Sequence, residues 1–279
     1  MAAVAVVAIA ALSFRKDDGG GSGCVTRLVD HLPADVENVE GSDLGRARAA
    51  GYDDDGDVFQ LADSVLATGV APDPLSDESR LRFEEPSTHA GYDPADVECW
   101  LGLLDLTFVA SGSFEAGQID RSDRGEPGSM ALEPGFLAYS RDGTPDEMLA
   151  TRDQPASLRG LVEALDRHGA VSFSGTTTGD DPSGPWSGVA LARGDDWEML
   201  VVWSLPDAGA AGDAQAAVHA ALADDSNLGD VIEGDPADLL ERDGATLWLR
   251  APLAGEPGSW TDPLRDLDPA LLVFSDFGD

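Results

Sequence analysis

The segment 185–225, PWSGVALARGDDWEMLVVWSLPDAGAAGDAQAAVHAALADD, restricts the fold more than any other stretch of the chain. Two apolar runs flank Gly194-Asp195, a dipeptide that suits a two-residue hairpin turn, and an alanine-rich stretch of helical composition follows at once. The segment reads as strand, tight turn, strand, helix. With a two-residue turn, Ala192 lies opposite Trp197, Ala190 opposite Met199, Gly188 opposite Val201 and Trp186 opposite Trp203. Side chains alternate between the faces of a strand. One face therefore sets small residues against large ones and leaves room for a helix to lie over the small strand. The other face is apolar only in its middle, at Val189, Leu191, Leu200 and Val202, and Arg193, Asp196 and Glu198 keep its turn end wet.

The rest of the chain supplies similar pieces. Leu158, Leu161, Val162 and Leu165 make a helical stripe, with Pro155 suited to the first turn and Gly169 to the stop. His168 falls in the last turn, where the helix dipole favours a cation. Val58, Leu61, Ala62, Val65 and Leu66 make a second stripe behind Asp57, a candidate cap, and Asp43 to Ala50 suits a short helix. Strands are expected at 36–39, over a hairpin spanning 96–114, at 136–140 and 147–151 about Arg141-Asp142-Gly143, at 170–174, and at 238–241 and 246–250 about Arg242-Asp243-Gly244; residues 117–133 read as loop. Asp207 is the expected N-cap of the alanine-rich helix, whose Ala211, Ala214, Val218 and Leu222 face the core.

Helix, hairpin, helix and strands thus occur twice, with a break near residue 153. The expectation is an α+β protein of two split β-α-β, ferredoxin-like units with antiparallel sheets, packed side by side. The first would occupy residues 24–153 and the second 154–279.

Residues 2–14, AAVAVVAIAALSF, form an unbroken apolar run of 13 residues, shorter than the ~20 needed to span a bilayer. Two readings fit: the apolar region of a signal sequence, or the remainder of a transmembrane helix that begins upstream, which is the preferred one. Arg15 and Lys16 follow it, and the positive-inside rule by itself would hold that side in the cytoplasm. Residues 15–23 continue as a Gly/Ser/Asp linker, and the folded part opens at Cys24. A lipidation site at Cys24 does not fit, because Gly21 stands where such a site wants an apolar residue.

The chain carries 53 acidic and 17 basic residues, a net charge of −36, and Lys16 is its only lysine. Phosphate contacts need a basic patch, so nucleic acid is excluded as a partner. Two explanations of the acidity compete, divalent cation binding and a solvated surface suited to high salt; acids spread over the whole chain favour the second. Screening then relieves self-repulsion. The melting temperature is expected to rise between about 10 mM salt, where the Debye length is about 30 Å, and 2 M salt. A flat series of thermal melts would refute salt adaptation.

No motif carries chemistry. The four histidines, His31, His89, His168 and His219, have no zinc spacing to one another or to a cysteine. Asp53 to Asp57 is not a calcium loop, because Gly51 and Ala62 stand where an EF-hand needs its first and last ligands. GTTTG at 175–179 lacks the Lys-Ser/Thr ending of a phosphate loop. The acidic pairs Glu84-Glu85, Asp180-Asp181 and Asp224-Asp225 offer acid/base groups without a means of choosing among them. Arg193-Gly194-Asp195 spells the integrin-recognised adhesion tripeptide, which turn chemistry explains as well. Trp186, Trp197 and Trp203 suit a core, or a stacking platform for sugars if exposed.

No catalytic residue, cofactor or metal ligand is expected. Cys24 and Cys99 are the only cysteines. In an exported chain they are expected to pair, pinning the start of the fold to its first sheet. The expected function is an extracytoplasmic, membrane-tethered, non-catalytic binding or interaction module. Its contacts would be the membrane, through its N-terminal segment, and an unknown protein or cell-envelope partner. The alternatives are a secreted acidic hydrolase and a carbohydrate-binding module.

Overall fold

The computed structural model describes residues 23–33, 35–49, 96–103, 107–114, 129–133, 135–140, 150–177, 183–193, 197–224 and 236–252. The expected helix 58–68, the Asp53–Asp57 turn and the apolar run 2–14 lie outside them. No helix among the described residues is long and apolar enough to cross a membrane.

A 3-10 helix, Thr26–His31, leads into β1 (Asn38–Asp43) and α1 (Leu44–Ala49). Then come β2 (Val97–Gly102), β3 (Phe108–Gly112), β4 (Ser129–Glu133) and β5 (Phe136–Ser140). Helix α2 (Ala156–Arg167) precedes β6 (Ala170–Thr177), β7 (Trp186–Arg193) and β8 (Trp197–Ser204). Helix α3 (Ala208–Asp224), a 3-10 turn at Pro236–Leu239, β9 (Leu240–Asp243) and β10 (Thr246–Pro252) complete the series.

The strands form one ten-stranded sheet in the order β4-β5-β3-β2-β1-β6-β7-β8-β10-β9. Every pairing is antiparallel. The class is therefore α+β with a large antiparallel sheet. Split β-α-β units are not what this order describes, since such a unit slots a strand between two others beside a parallel neighbour. Here three successive strands lie side by side and a hairpin closes onto the third. The order is also a palindrome about the β1–β6 seam: counted outward, each half reads first, second, third, fifth, fourth strand.

Helix α2 forms where its stripe predicts. Leu158, Leu161, Val162 and Leu165 are all fully buried, each stabilising the fold by about 2 kcal/mol. Pro155 holds the N-cap position, and Gly169, at φ +80°, takes the left-handed conformation that ends a helix and that residues with a Cβ resist. The helix lies on β6, β7 and β8 and against the first 3-10 helix. Close approach depends on missing side chains: a Cβ at Gly188 would sit 2.9 Å from Leu161 Cδ1, and one at Gly175 2.7 Å from Leu161 Cδ2. Val25, Leu28, Val29, Leu32, Val39, Leu101 and Val109 join this core from the first half of the chain, so one apolar cluster spans the β1–β6 seam.

The central hairpin has the expected strands in a different register. Arg193 pairs with Trp197, Ala190 with Leu200, Gly188 with Val202 and Trp186 with Ser204. Three residues, 194–196, thus separate the last pair instead of two, and a shift by one residue regroups every cross-strand neighbour. The α2 side carries Trp186, Gly188, Ala190, Ala192, Leu200 and Val202; Met199, Val201 and Trp203 belong to the opposite side, which is buried as well.

One further expectation changes. Strand β5 pairs with β4, drawn from residues read as loop, and not with a strand at 147–151; residues 150 and 151 are not extended in the sheet. In the β2–β3 pair, Leu101 lies opposite Val109, whereas Phe108 and Ala110 lie on the other side with Trp100. Asp207 caps α3 as expected, accepting from the N–H groups of Gly209 at 2.7 Å and Ala210 at 2.9 Å, and Ala211, Ala214 and Val218 are buried.

Candidate functional site

Among the described residues, a set of buried and part-buried polar groups gathers close to Cys24. Cys24 is bonded to Cys99, with Cα atoms 6.0 Å apart across 75 residues of sequence, as expected from the two cysteines. Cys99 is fully buried in β2. Two residues after Cys24, the Thr26 N–H and hydroxyl both donate to Asp166 Oδ2, at 3.1 and 2.7 Å. The Asp166 side chain is only 3 % exposed and sits in the last turn of α2, a poor place for a negative charge because the helix dipole opposes it.

Arg46 supplies the compensating charge. Its Nη2 lies 3.0 Å from Asp166 Oδ1, as an ion pair without hydrogen-bond alignment. Its Nε lies 3.3 Å from Asp43 Oδ2, and its Nη1 donates to the Ala170 carbonyl at 3.2 Å. Asp43 in turn accepts from the Arg46 N–H at 2.8 Å, closing the first turn of α1. Burial pushes the Asp43 carboxyl above its usual range; the Arg46 hydrogen bond and charge pull it back, and Asp166 and Glu98 push it up again. One guanidinium thus ties β1, α1 and α2 together beside the disulfide. Nearby, Arg159 pairs with Asp30, Arg152 N–H donates to the Asp30 carbonyl at 2.7 Å, and Gln154 Nε2 donates to the Leu32 carbonyl at 2.7 Å. These contacts hold both ends of the first 3-10 helix.

The expected outcome of Arg46→Met follows. Removing one partner from a buried ion cluster typically costs 3–5 kcal/mol, and partial exposure of Arg46 places this case at about 3. The sign of its pH dependence is fixed by Asp43. A carboxyl raised in the folded state destabilises that state once ionised, so the penalty is complete above the folded pKa and shrinks as pH falls toward the unfolded value. Without Arg46 the Asp43 pKa rises further. Urea melts of parent and variant should differ most near pH 7 and least near about pH 4; a difference that ignores pH would refute this role for Asp43.

The remaining candidates separate. His31 packs against Phe136 in a tilted contact, with ring centroids 4.4 Å apart, and His168 against Trp248, also tilted, at 4.7 Å; His219 is exposed on α3, and His89 lies outside the described residues. The His168 pKa is lowered, by burial first and then by Arg167 and Arg250, against the opposing pull of Glu241 and Asp243. Its desolvation and cationic neighbours outweigh the helix-end effect that favoured the charged form. No group of three or more His, Cys, Asp or Glu side chains among the described residues could hold a metal ion. Trp186 and Trp203 are 0 % and 1 % exposed and cannot form a sugar platform; the Trp197 side chain lies outside the described set. Gly175 to Thr177 of the GTTTG stretch belong to β6. Arg193 is exposed, and the other two residues of the adhesion tripeptide lie outside the described residues, as do Glu84, Glu85, Asp180, Asp181 and Asp225.

Thr26, Arg46 and Asp166 escaped the sequence reading. The one available signal was Asp166 itself, an acid in the final turn of an otherwise well-formed helix, where a buried cation is the natural explanation. No known protein family, characterised protein or solved structure matches this chain.

Proposed function

We propose that the chain is an extracytoplasmic, membrane-tethered module that works by binding or interaction and performs no chemistry of its own. The Cys24–Cys99 bond carries the reading. Disulfides persist in oxidising compartments and are rare where thiols are kept reduced, and this bond uses both cysteines of the chain. Its position supports the tether. Cys24 follows the Gly/Ser/Asp linker directly, so a pull from an N-terminal membrane segment would reach the fold at a residue bonded to β2, two positions before Thr26 is held by Asp166. The converging polar groups of this region serve one another structurally, which supports a binding role over catalysis, and the acidic surface suits high salt.

Cell fractionation combined with protease shaving tests the reading. The protein should sediment with membranes, be cut by protease added to intact cells, and resist thiol alkylation until reduced. Protection from external protease, or alkylation of both cysteines without reduction, would refute it.

A further inference from the structure

Three consecutive residues at the end of α2 each hold a different part of the fold. Asp166 turns inward and accepts from the Thr26 N–H and hydroxyl, beside Arg46 of α1. Arg167 reaches Asp243 of β9 at 3.4 Å. His168, at the C-cap, packs against Trp248 of β10, with ring centroids 4.7 Å apart. Backbone bonds knit the turn together: the His168 N–H donates to the Ala164 carbonyl at 2.9 Å, and the Gly169 N–H to the Asp166 carbonyl at 3.1 Å. A displacement of His168 therefore pulls on the residue that holds Thr26.

A histidine changes charge near neutral pH, and the surroundings of this one are laid out against a cation. His168 and Trp248 are both half-buried, and burial disfavours the charged ring. Arg167 is the preceding residue, and Arg250 lies two positions beyond Trp248 on the same face of β10. The acids nearby are engaged by these arginines. Glu198 of β8 accepts from Arg250 Nε at 2.6 Å, and Asp243 pairs with Arg167. Glu241 of β9, opposite Trp248, is exposed, where water screens its charge. From β7, Arg193 approaches through its carbonyl, 4.0 Å from where a Cβ would stand on Gly169.

We propose that this turn is an acid-opened joint: protonation of His168 parts it from Trp248, and fraying of the turn loosens the hold of Asp166 on Thr26. The neutral ring tolerates both guanidinium neighbours, whereas the imidazolium is repelled by them and is poorly hydrated against the indole. The lowered His168 pKa agrees in direction. Stability from the neutral ring is complete above the unfolded-chain value of about 6.5 and is lost as pH falls from there through the folded pKa. The segment that responds, Thr26–His31, follows Cys24 directly, so the joint acts beside the disulfide.

Hydrogen exchange of the full chain at about pH 7.5 and about pH 5 tests this, read as protection so that the intrinsic pH dependence of exchange drops out. In the parent, residues 166–169 and Thr26–His31 should lose protection about threefold at the lower pH. His168→Phe keeps a ring against Trp248 and removes the proton, so both segments should hold their protection. The Asp43 carboxyl, raised by burial beside Arg46, still titrates in that variant, which separates its effect from that of His168. Equal losses in parent and His168→Phe would overturn the role of His168, and a loss confined to residues 166–169 would overturn the link to Thr26. The imidazole resonance missing from the spectrum of His168→Gln identifies His168 in the parent. Its midpoint should lie below the unfolded-chain value; a midpoint at or above it would overturn the joint, however well His168→Phe folds.

Discussion

Replacing Cys24 and Cys99 together by alanine is expected to lower stability by about 4.5 kcal/mol, from the loop entropy of a bond that closes 75 residues. The figure is an upper one, because residual structure in the unfolded chain reduces what a cross-link removes. The loss should show a spatial pattern. Cys24 anchors the first 3-10 helix, whose Val25, Leu28, Val29 and Leu32 seal the core over β2 and β3. Without the bond this segment keeps Thr26–Asp166 at one end and Arg152, Arg159 and Gln154 at the other. Amide exchange should therefore quicken first at Thr26–His31 and only later in α2. Urea melts that agree within about 1 kcal/mol would show that the polar contacts hold the segment unaided and that the covalent bond adds little.

Trp186→Ala is expected to cost about 3–5 kcal/mol, the range for truncating a large buried aromatic. The indole is 0 % exposed and belongs to the cluster under α2. Its cross-strand neighbours are Thr177 and Ser204, both smaller than an indole, and neither can fill the space it leaves. Trp248, half-buried beside His168, is the matched comparison. Trp248→Ala should cost about 1 kcal/mol, since less apolar area returns to water. If Trp186→Ala melts with the parent, the packing of α2 on β7 is not what holds this half together.

The legible parts of the fold share a physical trait, in that neighbours in sequence decide them. The stripe at 158–165, the Pro155 start and the Gly169 stop define α2 without reference to anything distant. Asp207 caps α3 through its own next residues. Gly244, at φ +59°, turns β9 into β10, although the first of these strands, expected at 238–241, lies at 240–243 behind a 3-10 turn. The disulfide was legible by a different route, elimination, because two cysteines leave a single pairing within the chain.

The polar cluster beside the disulfide was not legible, because Thr26, Arg46 and Asp166 are far apart in sequence and each looks ordinary alone. Among 53 carboxylates, only packing distinguishes the ones that water cannot reach. The hairpin register failed for a related reason. Gly194-Asp195 suits a two-residue turn locally, yet burial of Trp186 and Leu200 on one face and Trp203 on the other is satisfied by a loop one residue longer. His168 shows the same contest at a single residue: the helix end favours its charge, and burial first, then the charges of its neighbour Arg167 and of Arg250 from β10, reverse that preference.

Sequence alone was sufficient for the existence and type of most elements, for the acidic surface and for the cysteine pair. Local periodicity, turn chemistry and composition act within a few residues and are read directly. The joining of both halves into one palindromic sheet was decided by tertiary structure, because backbone hydrogen bonds between β1 and β6 say nothing through side-chain type. The same holds for β4, whose strand exists because β5 offers an unpaired edge, and for the Arg46 cluster, where desolvation turns ordinary surface residues into a buried ion site. In each case the deciding energy comes from what is excluded from water together, and that is a property of contact in space rather than of spacing along the chain.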